Sequence, residues 1–83
     1  DGSIQGLAQV AAVPLVGCGI VGSANALDKD MTKRLLLQAG VPVARSVTIV
    51  AGAAPSFAEI EATLGLPVFV KPARQGSSVG VSK

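Results

Sequence analysis

Apolar residues recur along the chain with helical spacing in some stretches and in short unbroken runs in others. Ile4, Leu7, Ala8, Ala11 and Ala12 fall at i, i+3, i+4, i+7 and i+8, which is one face of a helix. Ser3 is placed to cap that helix, with Asp1 near the positive end of its dipole. Pro14 should end it, because the residue before a proline is pushed out of the α region. Leu15-Val16 reads as a short buried strand, and Gly17 to Gly22, with three glycines in six positions, as a turn or interdomain crossover. Ser23 to Leu27 is long enough for a short helix. A stronger one is expected from Lys29 to Ala39, with Met31, Leu35, Leu36 and Ala39 on its apolar face. Asp28 is its N-cap, Gly40 its C′ residue, and Asp30 is spaced to pair with Lys33 and Arg34.

Val43 to Val50, rich in Val, Thr and Ile, reads as a strand, and Ala51 to Pro55 as a loop. Ser56-Phe57-Ala58-Glu59 has the capping-box spacing, followed by a stripe of Phe57, Ile60 and Leu64 that stops at Gly65. Val68-Phe69-Val70 is a strand whose unbroken apolar run predicts burial on both faces. Pro72 ends it, Gln75 to Gly80 form a tight polar loop, and Val81 opens another strand. Helices interleaved with such strands predict an α/β fold.

Composition narrows the function. Hydrophobic residues make up 49 % and charged residues 14 %, which excludes a disordered chain. The net charge is +2, the basic residues are dispersed, and there is no Tyr or Trp, so nucleic acid is not an expected partner. Without His and with the single Cys18, a His/Cys zinc site, a disulfide framework and a Cys–His nucleophile are excluded. From Gly6 to Leu27 no residue is charged, but Gln9, Pro14, Asn25 and several glycines break the stretch into two elements, so no membrane span is expected. Eighty-three residues bury only about 60–65 % of their unfolded surface. With so few charges and no initiator Met before Asp1, the chain reads as an internal fragment of a larger protein, and the lone Cys suits a reducing cytoplasm.

The most informative chemistry lies in Val70-Lys71-Pro72 and Gln75-Gly76-Ser77-Ser78-Val79-Gly80. A Lys at the end of an apolar strand is costly to bury without an anion nearby. Glycines let backbone amides approach a ligand, and two hydroxyls add donors, so the segment suits a nucleotide phosphate. The plainer reading is a hairpin of small residues with Lys71 reaching water. The loop is not a Gly-x-x-x-x-Gly-Lys-Ser/Thr phosphate loop. Lys29 sits in the first turn of its helix, where the dipole disfavours a cation; it is either a phosphate ligand or a solvated surface charge. Arg74 flanks the loop, within reach of a phosphate or simply on the surface. Glu59 and Glu61 are a cap and a surface charge.

These residues, with Asp1-Gly2-Ser3-Ile4-Gln5-Gly6, Leu27-Asp28-Lys29, Thr32 to Leu36 and Gly65 to Pro72, resemble the D-alanine–D-alanine ligases of the ATP-grasp group, in order over nearly the whole chain. The resemblance implies an ATP-grasp fold, with residues 1–18 ending an N-terminal substrate domain and residues 19–83 starting an incomplete central domain. It implies that Lys29 and Lys71 bind ATP phosphates and that the loop of Gln75, Gly76, Ser77, Ser78, Val79 and Gly80 folds over the triphosphate. Ser78 would donate to phosphate; Ser77 would tie the loop to the N-terminal domain and position substrate, making these two the catalytic serines.

The implied reaction phosphorylates the carboxylate of one D-alanine, and the amine of a second attacks the acyl phosphate to give the dipeptide for peptidoglycan. ATP and Mg2+ are the implied cofactors, with every metal ligand outside these residues. The parent is expected to be a cytoplasmic homodimer, and the fragment alone to be inactive. Another ATP-grasp carboxylate–amine or depsipeptide ligase and a non-catalytic anion-binding module are the alternatives. Cys18, Gly22 and Ala44-Arg45-Ser46 depart from the usual family pattern, and Arg74 beside the loop is placed to affect closure or substrate preference.

Overall fold

Local capping chemistry sets the helices in a computed structural model of the chain, which describes residues 1–83. Helix α1 spans Ser3–Val10, α2 Ile20–Leu27, α3 Lys29–Gln38 and α4 Phe57–Leu64. In α3 the Asp28 carboxylate accepts from the amides of Asp30 and Met31, satisfying two of the donors that a helix start leaves unpaired. Gly40, at φ 75°, closes the other end: its amide bonds the Leu37 carbonyl and the Val41 amide bonds Leu36, a Schellman motif. Asp30 pairs with Arg34 at 2.9 Å, as its spacing requires, whereas Lys33 turns to the Ala44 carbonyl at 2.9 Å. In α4 both halves of the capping box form, with Ser56 and Glu59 bonded reciprocally, and Gly65 ends the helix.

Two helix boundaries differ from the sequence expectation. Ser3 is not the cap of α1: Gly2 holds that position at φ 97°, and Ser3 instead donates its amide to the Asp1 carboxylate at 2.9 Å. Glycine is needed at position 2, since a Cβ there would stand 2.9 Å from the Ile20 carbonyl oxygen. Gly2 is also the one buried residue of the chain, and this contact seats α1 on the start of α2. Helix α1 ends before Pro14, because Ala12 enters the left-handed region at φ 54° and the Val13 amide bonds back to Ala8. That is the Schellman closure of α3 again, with an alanine where glycine is usual. Helix α2 begins at Ile20 and so takes in Gly22, shortening the expected glycine-rich crossover.

The strands are the larger correction. Leu15-Val16 and Val43–Val50 form no strand, and in the segment from Val68 the sole β pairing is an antiparallel bridge between Val70 and Ser82. A strand is held by its ladder partner, and these segments find none among the 83 residues. The expected burial of Val68 to Val70 on both faces does not occur: Phe69 is 59 % and Val70 61 % exposed. No apolar side chain is buried anywhere. The accessible surface is 6472 Å², against about 4,500 Å² for a compact protein of this mass. The radius of gyration is 16.0 Å, against about 12 Å for a compact domain of this length. The helical half of an α/β arrangement is therefore present in these residues and the sheet is not. No helix is long and apolar enough to cross a membrane.

Candidate functional site: a loop hung on the start of a helix

The corner between α2 and α3 is fixed before it does anything else. The Asp28 amide bonds the Ala24 carbonyl, and the Thr32 hydroxyl bonds the Asn25 carbonyl. Asp28 and Lys29 are thereby held at the first turn of α3. Residues 72–75, more than forty positions later, pass directly over them.

Each of those four residues is tied to Asp28 or Lys29. The Lys29 ammonium donates to the Pro72 carbonyl at 3.0 Å and to the Gln75 carbonyl at 2.5 Å. The Lys29 amide donates to the Ala73 carbonyl at 2.9 Å. Arg74 Nε donates to Asp28 Oδ2 at 2.8 Å. Asp28 thus uses one oxygen to cap α3 and the other to bind Arg74. The Arg74 bond first, then the amide of Met31, holds its carboxyl below the usual carboxylate range. Lys29, partly buried, is neither a freely solvated cation nor wholly consumed: an ammonium has three donors and two are used. The carbonyl bonds answer the dipole objection to a cation at this helix start, since they offset its charge.

Beyond Gln75 the chain makes two successive turns. The Val79 amide bonds the Gly76 carbonyl at 3.1 Å, and the Val81 amide bonds the Ser78 carbonyl at 3.2 Å. Ser77 and Ser78 lie between them at φ 51° and 60°. Two central residues at positive φ give the first turn its I′ character, a conformation costing a non-glycine residue about 1–2 kcal/mol. Gly80, at φ 70°, supplies the positive φ of the second turn and lets Pro72 pack against it; a Cβ there would meet Pro72 Cγ at 2.8 Å. Below the turns, Val70 and Ser82 exchange amide–carbonyl bonds at 2.8 and 3.0 Å. Residues 71–81 are therefore a closed loop with a paired base and one side anchored to α3.

Lys71 stands at the foot of this loop. It forms no ion pair and no hydrogen bond, and its ammonium lies 5.9 Å from the centre of the Phe69 ring, two residues back along the chain. The amides of Gly76, Ser77, Ser78 and Gly80 and the hydroxyls of Ser77 and Ser78 have no internal partner. Unpaired donors in the loop that follows an unneutralised ammonium fit an anionic group. By contrast, no three Asp, Glu, His or Cys side chains come together, so these residues offer no metal-binding set of their own.

The structure brings Lys29 together with Pro72 and Gln75, which residue spacing does not reveal. It ties Arg74 to an acid rather than leaving it on open surface, although the Arg74 side chain is 81 % exposed. Neither the left-handed serines nor the Gly80–Pro72 contact can be read from residue spacing; Gly80 itself is the only sequence signal for the latter.

A family model described as D-ala D-ala ligase C-terminus matches residues 35–83. A D-alanine–D-alanine ligase A from Brucella suis is 66 % identical across all 83 residues, which correspond to 24 % of that protein. A D-alanine–D-alanine ligase from Sodalis glossinidius is 58 % identical and a D-alanine–D-alanine ligase A from Escherichia coli 55 % identical, each over the full chain and 23 % of its own length. The chain spans about a quarter of the length of the relatives it matches.

Proposed function

The chain belongs to the D-ala D-ala ligase family, an ATP-grasp family, and from that premise we propose that it forms one phosphate-binding side of an ATP-dependent ligase that joins two D-alanines. The observation that carries this reading is the unpartnered Lys71 ammonium at the foot of a closed loop whose amides and two hydroxyls have no internal partner. Residues 1–18 complete the substrate domain of the longer protein, and residues 19–83 begin its nucleotide-binding domain.

In this reading the loop from Gln75 to Gly80 lies over the triphosphate. Lys71 offsets charge on the phosphoryl group as it transfers to a D-alanine carboxylate, and Lys29 gives its third donor to the same phosphate chain. The Ser78 hydroxyl and the loop amides donate to phosphate oxygens; Ser77 ties the loop to the substrate domain. The amine of the second D-alanine then displaces phosphate from the acyl phosphate, releasing ADP and phosphate. Mg2+, when bound, lowers the charge on the phosphates, and its ligands come from outside these residues. The product is a precursor of peptidoglycan, made in the cytoplasm by a protein that pairs with a second copy of itself. The 83 residues alone do not turn over.

Replacement of Lys71 by Ala in the full-length protein tests the assignment. ATP binding, followed by equilibrium titration, and turnover with D-alanine are expected to fall together. Unchanged binding would remove Lys71 from the site. Turnover with D-lactate in place of the second D-alanine would move the assignment to a depsipeptide ligase.

A further inference from the structure

Four consecutive residues, Pro72 to Gln75, are each bonded to the dipeptide Asp28-Lys29, and three of those four bonds belong to Lys29. The fourth is the Arg74–Asp28 pair, and it is placed differently from an incidental surface pair. The Arg74 side chain is 81 % exposed, but its partner is only 21 % exposed and is already fixed by two amides of α3. An acid held in that way does not lose freedom when Arg74 binds it. Arg74 lies two residues before Gly76, where the first of the two turns begins. The pair therefore joins the capped start of α3 to the polar loop at the point where the loop departs.

Building on the proposed phosphate-binding role, we propose that Arg74 and Asp28 form a clasp that sets the loop's register over the nucleotide, with both acting as positioning residues. Arg74 works through Asp28 and not through contact with phosphate. Its single Nε–H bond holds residue 74 against the start of α3, next to the point where the free amides of Gly76 to Ser78 begin. Loss of the clasp leaves the loop closed at Val70–Ser82 and tethered by the three Lys29 bonds, but no longer fixed to the Asp28 carboxylate. Nucleotide affinity falls, while the chemical step, once the loop has closed, is largely retained.

A double-mutant cycle in the full-length protein tests this, with Arg74→Ala, Asp28→Asn and the two combined. Asn caps a helix as well as Asp does, so Asp28→Asn removes the ion pair and keeps α3. Each single change should raise the KM for ATP by about threefold to fivefold, the range of a partly exposed ion pair. The kcat should stay within about twofold and the KM for D-alanine should not move. The double variant should be no worse than the weaker single, because both remove one contact. Arg74→Lys, which keeps a cation within reach of Asp28, should recover most of the affinity. Multiplying effects would place Arg74 on the phosphate itself and overturn the clasp, as would no effect from either single variant. Lys71→Ala run alongside separates the two claims. Impaired ATP binding in that variant with silent clasp variants overturns the clasp alone, and a silent Lys71→Ala overturns the phosphate assignment and the clasp with it.

Discussion

The ammonium of Lys29 donates to the carbonyl oxygens of both Pro72 and Gln75, residues more than forty positions away, and so connects the first turn of α3 to both ends of a short backbone segment. A charge-assisted bond of this kind contributes about 1.5–3 kcal/mol, roughly ten- to a hundredfold in an equilibrium. Replacing Lys29 by Met, which keeps the stem and removes the ammonium, should speed hydrogen exchange at the Val79 and Val81 amides, which bond across the two turns, in the nucleotide-free full-length protein. It should also raise the KM for ATP at least about tenfold on the same reasoning. Exchange equal to wild type would show that the carbonyl bonds do not hold the loop.

Gly80 tests the base of the loop from the other side. A Cβ at this position would meet Pro72 Cγ at 2.8 Å, and the backbone is at φ 70°. The proline ring cannot swing aside. Gly80→Ala should cost at least about 1–2 kcal/mol from the backbone conformation alone, and the loop should loosen with it. Thermal denaturation together with an ATP titration would read both effects; a variant with native melting temperature and affinity would contradict the packing.

Helices α1 and α3 end in the same Schellman geometry with different residues, Ala12 at φ 54° and Gly40 at φ 75°. Opposite substitutions should therefore have opposite signs. Gly40→Ala should destabilise by about 1 kcal/mol, and Ala12→Gly should be neutral or stabilising by up to about that amount. Chemical denaturation of the two variants in one background checks this, and a shared sign would refute it.

Two carboxylates give a direction to the acid response. Asp28 is held below its usual range by Arg74 first and by the α3 amides, and Glu59 by the Ser56 amide first and then the Ser56 hydroxyl. A group whose folded pKa is depressed contributes stability above its unfolded value, about 4 for a carboxylate, and loses it as the pH falls through the folded value. The caps of α3 and α4 should therefore weaken only on acidification below that range. Asp28→Asn should flatten the acid limb of a stability–pH curve; an unchanged limb would mean that the carboxylate bonds are not made in solution.

How much of this was legible in the sequence depends on how far apart the partners are. The caps at Asp28, Gly40 and Ser56–Glu59 and the Asp30–Arg34 pair all lie within a few residues, where spacing dictates contact, and all are present. Strands need neighbours, so the Val and Ile runs at 15–16 and 43–50 signalled a preference that these 83 residues do not satisfy. At α1 a local competitor decided the outcome: the Asp1 carboxylate took the Ser3 amide and left Gly2 as the cap. The Lys71 segment was visible as a cation beside a donor-rich loop. The tether of that loop to Asp28 and Lys29 was not, because it joins residues 46 apart, and no pattern in the chain encodes such a meeting.

The absence of buried apolar side chains makes a further expectation. The 83-residue chain, alone in water, should show a broad, weakly cooperative thermal transition by circular dichroism and bind a hydrophobic dye, because 6472 Å² of surface stays accessible. A sharp two-state transition without dye binding would show that the segment finds a core of its own.

The most direct measurement is a crystal structure of the full-length protein with a non-hydrolysable ATP analogue. The Lys71 ammonium should lie within about 3 Å of a phosphate oxygen, with amides of residues 76–80 donating to the same phosphate chain. A nucleotide whose phosphates all lie beyond about 6 Å from that ammonium, well outside any hydrogen bond, would contradict the account.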